Sequence, residues 1–267
     1  MGNSPRPDVI VALPAFNERD ALPRLLRRIA AAPGGPYRTL VVDDGSSDGT
    51  AEAAEACREA LPGLRVVRHD RNRGLGAALQ TGWTEALREL PDDGAVITMD
   101  ADDTHDPAVI ARLLDLLAAG ADVAIASRFQ PGGGEVGLSP ARRVFSRGAG
   151  VLLAAARPIA GVRDYTCGYR AYRAGMLRRA FQAYGQNGLI TAPGFACSAE
   201  VLVKLAALGA RCAEAPLVLR YDLKRGKSKM KVLRTIGGYF YILRVTRRRP
   251  AAARAAIRPR ATGGGGS

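Results

Sequence analysis

The chain lacks any apolar run of the ~20 residues that a membrane-spanning helix requires. Ala149–Val162 is broken by Arg157 and Pro158, and Ile236–Val245 is short and carries Arg244. Met1–Asp8 has no apolar stretch, so no secretory leader is expected and a cytoplasmic protein, at most bound to the inner face of a membrane, is. Cysteine is sparse. Cys57, Cys167, Cys197 and Cys212 lie far apart without a C-x-x-C pair, which argues against a zinc knuckle or a disulfide framework and predicts buried free thiols. The phosphate-binding patterns of the common nucleotide folds are also missing. Gly74 and Gly76 are followed by Leu79, which breaks G-x-G-x-x-G, and no G-x-x-x-x-G-K-[ST] is present, which argues against an ATPase. Acids nearly vanish from Arg220 to Ser267: 14 Lys or Arg, Arg220 included, face the single Asp222, so this segment holds +13 of the chain's +14. With few aromatics interleaved among the basic residues, no nucleic-acid partner is expected. The phosphates implied are those of a nucleotide or a lipid head group.

What is present fits a globular α/β protein. The 267 residues are 47% apolar and 24% charged, enough for one domain with a full core. Short β-rich runs at Val9–Leu13, Thr39–Val42, Leu64–Arg68, Ala95–Met99 and Asp122–Ala126 alternate with helical spacing in Asp20–Ala32, Gly74–Leu90 and Asp106–Leu117. Ser47 or Asp48 caps a further predicted helix reaching Leu61. This alternation predicts a mostly parallel, Rossmann-like sheet with helices on both faces, and ligands bound beyond the carboxyl ends of its strands. After the joint Gly132-Gly133-Gly134, helices are expected at Pro140–Ala156 and Ala196–Leu208, and a strand at Ala213–Tyr221. The expected division is a tail at 1–7, one domain at 8–246 in two halves, 8–130 and 131–246, and a basic, flexible tail at 247–267.

Polar clusters fall at the predicted strand ends. Asp100-Ala101-Asp102 sets two carboxylates around one small residue, a pair able to hold a hard divalent cation against a diphosphate. Asp43-Asp44-Gly45-Ser46 ends a buried strand in two acids and a tight turn, a place from which a carboxylate can accept hydrogen bonds from ribose or a base. Pro14-Ala15-Phe16-Asn17-Glu18 can present backbone groups to a base edge. Arg71-Asn72-Arg73-Gly74-Leu75-Gly76 opens a helix whose amides suit an anion. His69 reads as a turn or core residue and His105 as a surface turn residue. Tyr239-Phe240-Tyr241-Ile242, before Arg247-Arg248-Arg249, reads equally as an interfacial anchor or as core packing.

These motifs, with Ser127-Arg128-Phe129, resemble family-2 glycosyltransferases of the GT-A fold. The later runs Arg142-Arg143-x-x-Ser146-Arg147-Gly148, Asp164-Tyr165-Thr166-Cys167-Gly168-Tyr169-Arg170 and Gly226-Lys227-Ser228-Lys229-Met230 are similar to those of dolichol-phosphate and polyprenyl-phosphate mannose synthases. The resemblance covers about residues 8–235. It implies an inverting hexosyltransferase, with GDP-mannose as donor and a polyprenyl or dolichyl phosphate as acceptor. Mg2+ or Mn2+ would sit on Asp100 and Asp102, and the donor on Pro14, Phe16, Glu18, Asp43, Asp44, Asp100, Ala101, Asp102 and Arg128. Arg142, Lys227, Ser228 and Lys229 would hold acceptor phosphate. Asp102, Arg128, Asp164 and Glu200 are the catalytic candidates; Asp164 and Glu200 are bases only if the acceptor is a hydroxyl. The chain departs from the family pattern where Thr104 replaces a metal-site Gln, and where Lys224 or Arg225 must stand in for an Arg spaced one residue further from Gly226. A family-2 enzyme acting on a soluble metabolite or glycan is the alternative reading. Peripheral membrane contact through the basic C-terminal region is a further expectation.

Overall fold

A computed structural model describes residues 7–223 and 232–246. Five strands arise where the apolar runs predict them: β1 Val9–Ala15, β2 Arg38–Asp43, β3 Leu64–Arg68, β4 Ala95–Thr98 and β5 Val123–Ser127. Between them lie α1 Leu22–Ala30, α2 Thr50–Glu55, α3 Leu75–Glu89 and α4 Val109–Ala118. The later elements are β6 Gly134–Val136, α5 Pro140–Ala156, β7 Arg170–Arg173, α6 Ala174–Tyr184, α7 Ala196–Ala207, β8 Cys212–Pro216, β9 Val218–Arg220 and α8 Val232–Val245.

Seven strands form one sheet in the order β3-β2-β1-β4-β7-β5-β8, and β6 pairs with β9 in a separate two-stranded ribbon. Every pairing is parallel except those of β7, which runs against both β4 and β5. Burial on both faces explains the continuous apolar runs. Ile10 and Ala12 of β1 pack with Trp83, Leu177 and Leu202 on one side of the sheet. Val9, Val11 and Leu13 pack with Leu25, Ile110 and Leu113 on the other.

The reversed strand positions the site. Thr98, at the end of β4, pairs with Arg170, at the start of β7, and Arg170 also pairs with Ile125. The segment entering β7, Asp164–Tyr169, is thereby delivered to the carboxyl ends of β4 and β5, beside the Asp100 and Arg128 loops.

Four elements differ from the sequence expectation. The helix after Asp48 stops at Glu55 and gives way to turns up to Leu61. The cap expected from Ser47 or Asp48 falls on Gly49 instead, without a side-chain cap bond; Asp48 accepts from the Thr50 amide at 3.0 Å in the turn before it. The strand expected over Ala213–Tyr221 is two strands, because Leu217 donates to Ser127 O at 2.9 Å and its own carbonyl accepts from Gly134 N, turning the chain into the ribbon. β7 and α6 were not anticipated: Arg170, a polar signal in the sequence, is fully buried here.

The candidate active site

The loops after β1 and β2 are stitched together. Asn17 N donates to Ser46 Oγ at 2.9 Å, Glu18 N to Thr50 Oγ1 at 2.8 Å, and Ser47 N to Asn17 Oδ1 at 3.0 Å. Pro14, Phe16 and Glu18 are half-buried along this seam. The two acids after β2 divide their tasks. Asp44 accepts from Arg73 N at 2.9 Å and Gly74 N at 2.7 Å, and lies 2.6 Å from His69 Nδ1. The anion predicted at the start of α3 is therefore the protein's own Asp44, and buried His69 is its bridge to Thr81 Oγ1 at 3.0 Å. Asp43 accepts from Ser46 N at 3.3 Å, while its buried Oδ2 has no hydrogen-bond partner among the described residues and lies 3.4 Å from Arg68 Nε. Of the pair, Asp43 retains acceptor capacity.

Gly45 is what lets these loops meet. Its φ of +67° belongs to glycine, and a Cβ there would lie 2.3 Å from the Arg71 carbonyl carbon. Left-handed strain of about 1–3 kcal/mol adds to a backbone clash of similar size. Gly45→Ala should cost about 2–6 kcal/mol of stability in chemical denaturation, and should weaken nucleotide binding in calorimetry because Asp44 loses its grip on Arg73 and Gly74.

The Asp100–Asp102 loop is braced on every side. Asp102 Oδ1 accepts from Thr104 Oγ1 at 2.6 Å and Thr104 N at 3.2 Å. Thr104, at the position where the family carries Gln, thus spends its hydroxyl on orienting a carboxylate. Asp103 adopts φ +62° and is held there by Arg28 at 2.6 Å and Arg24 at 3.4 Å. His105 is buried, not the surface residue expected. Its ring stacks on Tyr169 at 5.1 Å and its Nδ1 accepts from Asp100 N at 3.2 Å, which leaves the ring proton on Nε2. Among the described residues no group of three or more His, Cys, Asp or Glu could hold a metal. Asp100 and Asp102 would nonetheless offer a small hard cation the oxygen donors it takes, and beside them Gly168 keeps the approach to Asp100 narrow, since a Cβ there would stand 3.8 Å from Asp100 Oδ1 and 3.4 Å from Ser198 Oγ.

After β5, Arg128 is the hub. Nε and Nη2 donate to Asp164 at 2.8 Å each, Nη2 also to Thr166 Oγ1 at 2.7 Å, and Nη1 to Glu135 at 3.0 Å and Ser146 at 3.1 Å. All five guanidinium N–H groups are used. Asp164 also accepts from the amides of Arg128, Thr166 and Cys167. Although burial opposes its charge, the Arg128 guanidinium and these hydrogen bonds hold its carboxyl below the ordinary value.

Two expectations are corrected. Asp164, fully buried and bonded to Arg128, is not placed to take a proton from a hydroxyl acceptor. Glu200 is not either: it is fully buried, accepts from Thr191 N and Ala192 N at 2.7 Å, and pairs with Lys204 at 2.5 Å. It fastens the Leu189–Ala192 segment to α7, and Ile190 of that segment abuts Gly76. Arg142 lies in α5, but its side chain is not among those described, and Lys224, Arg225, Lys227, Ser228 and Lys229 lie outside the described residues. The structure adds two residues the sequence reading passed over, Glu135 and Arg28, and gives Arg170, named there only as the end of a motif, a place: its Nη2 donates to Tyr165 O at 2.8 Å. Charge at an apolar boundary was their only signal. The thiols are all free, Cys167 and Cys197 buried and Cys57 and Cys212 half-buried. Burial pushes Cys167 and Cys197 up to about 12.

Strand-end acids and the nearly buried Arg128 guanidinium gather at the carboxyl end of one mostly parallel sheet, where α/β enzymes bind their ligands. The chain belongs to glycosyl transferase family 2, which it matches over residues 10–181. It is 39% identical over 177 residues to the polyprenol monophosphomannose synthase of Mycolicibacterium smegmatis, covering 66% of this chain and 65% of that protein. It is 34% identical to the undecaprenyl-phosphate mannosyltransferase of Micrococcus luteus, over 83% of this chain and 87% of that one. The fold is GT-A. The Mycobacterium tuberculosis glucosyl-3-phosphoglycerate synthase, solved with Mn2+, UDP and phosphoglyceric acid, superposes with a TM-score of 0.63 at 22% identity, over 89% of this chain and 78% of that one.

Proposed function

We propose that this hexosyltransferase moves mannose from a nucleotide-sugar, GDP-mannose in our reading, to a polyprenyl phosphate. The relatives named above support the sugar and the acceptor class. The observation that carries the acceptor is the state of the two acceptor-side acids. Asp164 and Glu200 are both spent on buried cations and backbone amides. A lipid phosphate is already an anion at neutral pH and attacks without a general base, whereas a hydroxyl needs one.

Asp100 and Asp102 would hold Mg2+ or Mn2+, which offsets the charge of the departing diphosphate. Asp43, with Pro14, Phe16 and Glu18, would take the nucleoside, and Asp44 would act by fixing the Arg73–Gly74 turn. A phosphate oxygen of the acceptor then forms the new bond to the anomeric carbon as the bond to the diphosphate breaks. The electron pair leaves with the diphosphate, and the configuration inverts. Arg142 and the Lys227–Lys229 segment are assigned to the acceptor phosphate. Residues 8–246 would act as one catalytic domain, with 8–130 serving the donor and 131–246 the acceptor, between tails at 1–7 and 247–267.

Among the described residues no helix is long and apolar enough to cross a membrane. Peripheral contact is the corresponding proposal. α5 exposes Val144 and Val151, and α8 exposes Phe240 and Tyr241 while Tyr239 and Ile242 are buried in the core. The aromatic run is thus half packing and half surface, and it leads into the basic segment whose charge suits an anionic leaflet.

The deciding experiment incubates the protein with Mn2+, radiolabelled GDP-mannose and a short-chain polyprenyl phosphate. Label in the organic phase is the expected result. Label that stays with a water-soluble acceptor would overturn the lipid reading, and transfer from UDP-sugars alone would overturn the donor. A thermal shift should accompany the preferred nucleotide-sugar, since ligand at 100 times its Kd adds about 2.7 kcal/mol.

A further inference from the structure

Two acids bear on Arg128, and they are held very differently. Asp164 accepts hydrogen bonds from three backbone amides besides the guanidinium. Among the described residues Glu135 has one hydrogen-bonded partner, Arg128 Nη1 at 3.0 Å. Its second oxygen is buried and faces Arg143 Nε at 3.7 Å, too far for a hydrogen bond. Neither that oxygen nor Arg143 Nε has a hydrogen-bond partner among the described residues. Glu135 also sits on the three-residue strand β6, outside the main sheet, with Gly132, Gly133 and Gly134 before or in it and Gly137 after it. Its carboxylate lies between two guanidinium groups, those of Arg128 and Arg143, a pair of cations that suits a phosphate oxygen better than a carboxylate held on one side.

We infer that Glu135 is a displaceable internal counter-ion that sets the selectivity of the acceptor site for phosphate monoesters. With no acceptor present, it satisfies Arg128 Nη1 and shields Arg143. An acceptor phosphate takes its place on Arg128 and Arg143 while Asp164 stays, so the guanidinium never loses its orientation. A neutral acceptor supplies no charge to replace the carboxylate and is rejected, because dislodging Glu135 would leave a buried guanidinium undercompensated. Glu135 is thus a specificity residue that competes with the substrate and takes no part in bond making. The inference rests on the phosphate-acceptor reading above.

The test uses the full chain with Glu135→Gln, which keeps an oxygen for Arg128 and removes the charge, and Glu135→Ala as a second variant. Inorganic phosphate binding is followed by calorimetry, and KM and kcat for a short-chain polyprenyl phosphate by organic-phase counting. Both variants should bind inorganic phosphate about tenfold more tightly, the effect of removing one competing charge near a partly screened site. KM for the lipid phosphate should fall in step, with kcat changed less. Unchanged or weaker phosphate binding would overturn the inference, as would loss of the fold in Glu135→Gln, since a displaceable group is not needed for folding. The two readings fail separately. Absence of lipid product in the wild type sinks the acceptor assignment, while the phosphate titration still reports on Glu135.

Discussion

Asp102→Asn is expected to lower kcat/KM for sugar transfer by roughly 10^3-fold, the several kcal/mol that a metal-held carboxylate contributes at a developing diphosphate. The variant is chosen for its geometry. Asp102 Oδ1 accepts from both the amide and the hydroxyl of Thr104, and an asparagine oxygen can keep both bonds. The turn, the ion pairs of Asp103 with Arg24 and Arg28, and the buried His105–Tyr169 stack should therefore survive. What is lost is one negative charge facing the cation. The melting temperature should stay close to that of the wild type, while the Mn2+ concentration for half-maximal rate rises. Turnover within tenfold of the wild type, in a variant that melts normally, would mean that this pair does not hold the metal.

Asp164→Asn should fail in the opposite way. Asp164 is fully buried, and its partner Arg128 is nearly so. Removing one member of a buried pair while the other stays charged costs about 3–5 kcal/mol. The Arg128 guanidinium is held far above its already high ordinary value by Asp164 and Glu135 against the pull of burial, so it will not relieve the strain by losing its proton. For a chain of this size the loss corresponds to a fall of roughly 10 °C in melting temperature. Transfer should fall too, because Arg128 loses the group that aims it.

The pH dependence has a definite sign. The folded Asp164 carboxyl lies below its ordinary 3.8, so its contribution is complete above that pH and is lost as pH falls through the depressed folded value. The stability gap between wild type and Asp164→Asn should be constant from pH 5 to 7 and should close only below about pH 4. A gap already closing near pH 6, measured by thermal unfolding, would show that another group carries the effect.

Much of the donor half was legible because its signals are local. Apolar runs buried on both faces, a helix soon after Asp106, and acids placed where strands end all follow from residues within one turn or strand of each other. The acceptor half was harder. β7 alternates Arg170, Ala171, Tyr172 and Arg173, which resembles a polar connection until the carbonyls of Tyr165 and Ser198 are seen to bury the guanidinium of Arg170. Asp164 and Glu200 looked like free acids for the same reason. Their partners, Arg128 and Lys204, neutralise them in space, and only the second pair lies at helical spacing in sequence.

By itself the sequence determined that strand-helix units would form a sheet and that Asp100 and Asp102 would stand at the mouth of one strand, because hydrophobic burial and backbone geometry act over short stretches of chain. Which acids remain available for chemistry was decided only by the tertiary structure. The antiparallel insertion of β7 brings residues from distant parts of the chain to Arg128, and a carboxylate's role depends on whether the charge beside it belongs to the protein or to a substrate.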